Sequence, residues 1–295
     1  MKIHSFIGWG MGIVGIFGIA ACSSSDDGDR KAQTPLVTDD EERDAVIDFV
    51  TYGSQLNVGY SAAAWFMRGR AYGPGRRETQ VKEGDCTVTR WEYVDREDPE
   101  HPPVFVSAGE IALSGGKIPP NSGMRHSDGS YHPYYYPYFH GTDLLWTGGE
   151  DVRIAAAGSP NGVGPFEASL KAPSHISLTT PSWDEGATID RSKDLEVAWT
   201  RSGAASGTIE VSLGAWAEKH RSGVDVLCAY PASRDAVVVP ASVLQALPAG
   251  TSGSILIEAA ERQTITASSW KVNLRLRTGP AQTNGRHTSG PVTFL

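Results

Sequence analysis

Trp270, Lys271, Val272, Asn273, Leu274, Arg275, Leu276, Arg277 switches between apolar and polar side chains at every step. Successive side chains of a β-strand point to opposite faces. A period of two sustained from 270 to 277 therefore puts Trp270, Val272, Leu274 and Leu276 on a buried face. Lys271, Asn273, Arg275 and Arg277 fall on the other, which reads as wet. The segment is a strand with one core face. Val224, Val226, Cys228 and Tyr230 repeat the pattern upstream.

Further strands are expected over 175–180, 195–200, 208–213, 236–239, 255–265 and 291–295, with Gly, Pro and Asp turns between them. Pro240 to Leu247 can make one or two helical turns, with the proline placed where its missing N–H costs nothing. Many short strands at such spacing are the pattern of a sandwich. Through strand number, and Trp199 on an early strand, the second half resembles the immunoglobulin and fibronectin type III sandwiches. That resemblance implies architecture and no activity.

The first half reads as strands over 56–67, 86–94, 104–112, 144–146, 152–156 and 166–170. A Gly- and Arg-rich stretch after Met67 and the segment 95–103 read as loops, and Gly115 and Gly116 as a break. Thr38, Asp39, Asp40 and Glu41 carry a capping-box pattern, so a short helix to Phe49 competes with a strand there. The expected class is mainly β, with a first sandwich-like domain over 46–173 and a second over 174–295.

The chain opens with Lys2, an apolar run from Phe6 to Ile19, and Ala20, Ala21, Cys22. This is a secretory signal whose small residues precede a cysteine. The apolar run, interrupted by five glycines, is shorter than the roughly 20 residues that span a bilayer. The segment resembles the signal peptides of bacterial lipoproteins processed by signal peptidase II. That likeness implies cleavage before Cys22, thioether lipidation of Cys22 and further acylation (palmitate) of its amino group. Ser23 after the cysteine then points to the outer membrane, facing the periplasm or the surface. Residues 1–21 are the expected signal peptide and 22–45 the lipidated cysteine and polar tether, too poor in apolar side chains to offset chain entropy.

The 26 Lys+Arg and 34 Asp+Glu give a net charge of −8. Such a surface repels polynucleotides, so nucleic acid is not an expected partner. With 33 Gly and 18 Pro among 295 residues and no long periodic helix, turns between strands dominate.

After Cys22, Cys86 and Cys228 remain. An oxidising envelope favours a bridge, whereas placement in different domains favours two buried thiols. Ser268, Ser269, Trp270, Lys271 matches a Ser-x-x-Lys pattern, but that chemistry needs helical spacing and Lys271 opens a strand. His126, His132 and His140 fix no metal geometry at their spacing, and no cofactor motif occurs, so neither metal nor cofactor is expected. Glu92, Asp95, Glu97, Asp98 and Glu100 read as a solvated loop run.

The densest binding signal is Tyr131, Tyr134, Tyr135, Tyr136 and Tyr138, stiffened by Pro133 and Pro137. Either these rings cover a sheet edge or the interdomain seam, or they present flat faces with polar tips to a glycan or protein partner. The expected role is recognition, adhesion or scaffolding in the envelope without catalysis. An envelope polysaccharide-active enzyme or glycan-binding module is the alternative.

Overall fold

The computed structural model describes residues 43–53, 58–68, 75–95, 104–126, 135–138, 145–181, 187–217, 221–278 and 289–295. The expected signal peptide, Cys22 and most of the tether lie outside them. Along the chain run β1 (Arg43–Gly53), β2 (Val58–Arg68), β3 (Gly75–Glu83), β4 (Cys86–Val94), β5 (Val104–Phe105), β6 (Ile111–Gly115), β7 (Ser122–His126) and β8 (Tyr135–Tyr138). Next come β9 (Asp151–Ala156), β10 (Phe166–Lys171), β11 (His175–Thr180), β12 (Ala187–Ile189), β13 (Leu195–Ser202), β14 (Thr208–Trp216) and β15 (Ser222–Pro231). After β16 (Ala236–Val239) a short helix, α1 (Ala241–Leu244), leads to β17 (Thr251–Ala267), β18 (Trp270–Thr278) and β19 (Ser289–Phe294).

The protein is mainly β, built from sandwich layers. One sheet of 11 strands runs β3-β4-β15-β14-β17-β18-β1-β2-β5, with β19 on β17 and β12 on β19. Two smaller sheets, β10-β9-β6-β7-β8 and β11-β13-β16, lie over it. The 17-residue β17 holds the long sheet together. Its Thr251–Leu256 part pairs with β19, Gly253–Ala260 with β14 and Ala259–Ala267 with β18. One strand thus belongs to two lobes.

Each lobe has its own core. Val88, Val211, Val226 and Ile257 of the long sheet meet Ile176, Val197 and Trp199 of the three-stranded sheet. Ile47, Phe49, Phe66, Trp270 and Leu274 meet Ile111, Met124, Ile154 and Leu170 of the five-stranded sheet. Burying each such side chain is worth about 1.5–3 kcal/mol, which outweighs strand propensity and fixes the register.

Several sequence-based expectations change. The hydrogen-bonded sheets do not divide at residue 173, because β4 pairs with β15 and β1 with β18, and the described residues form one compact unit. The segment after Met67 contributes β3, an edge strand whose exposed faces leave no apolar alternation to read. Residues 43–53 are strand, since pairing with β18 and β2 on both edges decides between helix and strand. Leu145 and Trp146 form a buried bend, with the Trp146 indole N–H donating to Thr278 Oγ1 at 3.3 Å. The expected strand 104–112 is instead the two residues of β5 and the start of β6.

Candidate functional site

Alternation on the long sheet defines two faces. Cys86 and Val88 of β4, and Val224, Val226, Cys228 and Tyr230 of β15, point into the core under the three-stranded sheet. The residues between them point the other way. In register across four strands, that outer face reads Glu78, Trp91, Gly223, Trp216. The adjoining row reads Gln80, Thr89, Asp225, Gly214, Ser254.

The glycines explain why two indoles fit here. A Cβ at Gly223 would lie 2.6 Å from Trp91 Cζ2 and 2.7 Å from the Ala215 carbonyl oxygen. One at Gly214 would lie 3.2 Å from Trp216 Cζ2 and 3.3 Å from Asp225 Oδ1. Each ring therefore rests on a strand that offers only backbone beneath it. Tyr93, 39% exposed, meets Trp91 edge-on with centroids 5.3 Å apart.

Arg76 covers the other side of Trp91, its Cζ 4.8 Å from the ring centroid. Its Nη2 donates to Asp225 Oδ2 at 3.1 Å, and its Nε lies 2.6 Å from Glu78 Oε1. Asp225 is only 8% exposed. Burial pushes its carboxyl up to about 6, against the pull of Arg76. Asp225 Oδ1 and Trp91 Nε1 are both buried, and hydrogen bonding from the Trp91 indole N–H adds to the pull of Arg76 on the Asp225 carboxyl.

Where the lobes meet, the same outer face carries ion pairs. Glu210 accepts from Arg262 at 2.6 and 2.7 Å and from Arg275 at 2.6 Å. Glu258 accepts from Arg275 at 2.5 Å and Arg277 at 3.0 Å, and Arg277 donates to both oxygens of Asp48. Three carboxylates balance three guanidinium groups. The expected wet face of β18 is therefore wet only at Lys271 and Asn273, while Arg275 and Arg277 are drawn into this cluster. Burial pushes Glu210 up, but the Arg262 hydrogen bonds and the Arg275 charge outweigh it and hold the carboxyl below its usual range.

Cys86 and Cys228 face each other across β4 and β15 and form a disulfide, 142 residues apart in sequence. The separation that favoured buried thiols is closed by the sheet. Of the tyrosines, Tyr131 and Tyr134 lie outside the described residues. Tyr135, Tyr136 and Tyr138 belong to β8, at the far edge of the five-stranded sheet from β10. His132 and His140 also lie outside the described residues, and among those described no group of three His, Cys, Asp or Glu is placed to hold a metal ion.

Sequence reasoning missed the outer-face site. Trp91 did carry a signal, since it has the opposite parity to Cys86 and Val88 on the same strand. Arg76 carried none, because its segment reads as loop and its partner Asp225 lies 149 residues away. Comparison with known proteins finds no matching family model, no similar curated protein and no similar solved structure.

Proposed function

We propose that this chain is a lipid-anchored protein of the outer membrane, held through Cys22, that recognises an envelope or surface ligand without transforming it. The lipobox and polar tether support the anchoring. The observation that carries the recognition reading is the row Glu78, Trp91, Gly223, Trp216, with Asp225 and Arg76 beside it. Large aromatic groups set among a few polar ones are what recognition sites use. Asp225 and Glu78 share the guanidinium of Arg76. Glycoside hydrolysis needs two carboxylates aimed at one bond across a cleft, which favours binding over hydrolysis. The tyrosines of 131–138 are the competing contact surface.

One fractionation experiment tests both parts. Full-length protein should take up a radiolabelled fatty acid and sediment with outer membranes, whereas Cys22→Ala should stay unlabelled and be missing from the outer-membrane fraction. Unlipidated protein should sediment with isolated envelope fractions, and Tyr93→Ala with Trp216→Ala should weaken this about tenfold or more. The triple change Tyr134→Ser, Tyr135→Ser, Tyr136→Ser should leave it unaltered. Loss in the tyrosine triple with retention in the other variant would move the surface to 131–138.

A further inference from the structure

We infer that the free edge of β3 pairs with the same edge of a second copy of this chain, joining two long sheets across a two-fold axis at Gln80. This stands independently of the recognition reading. β3 ends the long sheet, and among the described strands it pairs with β4 alone. Every residue from Arg76 to Glu83 is exposed, Val81 at 59%. An open strand edge is a template for another strand.

The direction of its backbone groups follows from the ladder. The Tyr93 N–H donates to the Arg221 carbonyl at 2.8 Å and the Ala229 N–H to the Asp85 carbonyl at 3.0 Å, so odd-numbered residues of this strand turn their backbone groups to β15. The even-numbered residues of β4 then turn theirs to β3, where Glu92, Arg90, Val88 and Cys86 stand opposite Arg77, Thr79, Val81 and Glu83. The N–H and C=O groups of Arg76, Glu78, Gln80 and Lys82 therefore point outward.

Charged edges usually keep strands apart, and one register here does the opposite. Two antiparallel copies exchange backbone bonds only when even-numbered residues oppose even-numbered ones. With Gln80 opposite the partner's Gln80, Glu78 meets the partner's Lys82 on the Trp91 face, while Arg77 meets the partner's Glu83 and Val81 meets the partner's Thr79 on the other. The two-fold axis repeats each pair. An axis at Thr79 would oppose Arg76 with the partner's Lys82, and an axis at Val81 would bring no opposite charges together. The Arg77 side chain, 71% exposed beside Glu92, can bridge both carboxylates. Exposed ion pairs add little affinity, so they select the register while backbone bonds and the cover over Val81 hold the copies together.

The test is sedimentation equilibrium of unlipidated protein, otherwise the full mature chain, from about 1 to 500 μM, which brackets micromolar to sub-millimolar association. Wild type should pass from monomer to dimer over that range. Gln80→Pro removes an outward N–H and no bond to β4, so it should melt as wild type does and dimerise about tenfold more weakly or worse. Glu83→Arg, at an exposed position, should also weaken the dimer, and Arg77→Glu added to Glu83→Arg should restore it. Mild oxidation should link Gln80→Cys to its own copy, because opposed hydrogen-bonded residues lie about 5.5 Å apart at Cα, within disulfide reach. Val81→Cys should stay unlinked. A monomer at every concentration, a dimer indifferent to Gln80→Pro and Glu83→Arg, no rescue by the charge swap, or linkage through 81 and not 80 overturns the proposal.

Discussion

At the scale of single residues, Asp225 shows how a side chain can be held at a cost to the fold. Its carboxyl is raised to about 6 by burial, well above its value in an unfolded chain. The folded protein therefore holds a proton on Asp225 that the unfolded chain has released between those two values, and stability from this group declines as pH rises through that window. Asp225→Asn cannot ionise. From about pH 4 to pH 6 the wild-type melting temperature should drop relative to this variant, and the gap should level off above that range. Parallel melting curves at every pH would show that the carboxyl is not buried as described. Cys86 and Cys228 were legible as a possible pair from compartment alone, whereas the pairing came from two strands meeting across the boundary expected at residue 173. No local pattern records such a meeting.

At the scale of elements, alternation reported which side chains of β18 enter the core, and Trp270, Val272, Leu274 and Leu276 do so. It could not report what the opposite face meets. Glu210 lies 65 residues from Arg275, and Asp48 lies 229 from Arg277, so their cluster is invisible to any window along the chain. The strand β3 was missed for a related reason: an edge strand with charged faces owes its existence to pairing with β4, not to its own pattern. The cluster makes a quantitative claim. Glu258 is 1% exposed between Arg275 and Arg277, so Glu258→Gln leaves two buried cations short of a counter-charge. Breaking one partner of a buried ion pair costs about 3–5 kcal/mol, against about 1 kcal/mol or less for exposed pairs such as Arg77 with Glu92. Urea unfolding should show a loss of the first size for Glu258→Gln and of the second for Glu92→Gln. Equal small losses would mean that water reaches the cluster.

At the scale of the whole described unit, the fold is two sandwich lobes built on one sheet. The lobes share β17, whose residues Ala259 and Ala260 pair with β14 on one edge and β18 on the other. The Glu210, Glu258, Arg275 and Arg277 cluster sits on the same stretch. The row of Trp91, Gly223 and Trp216 lies in the lobe that takes β3 and β4 from the first half of the chain and β14 and β15 from the second. A mainly β sandwich was legible because strand periodicity is local. The shared sheet was not, because it arises from pairings between distant segments. Lobes that share a strand and a charge cluster cannot melt one without the other. Differential scanning calorimetry of unlipidated, oxidised protein tests this most directly. The account predicts a single transition whose calorimetric and van't Hoff enthalpies agree. Two resolved transitions, or a van't Hoff enthalpy near half the calorimetric one, would show two independent domains and contradict the shared sheet.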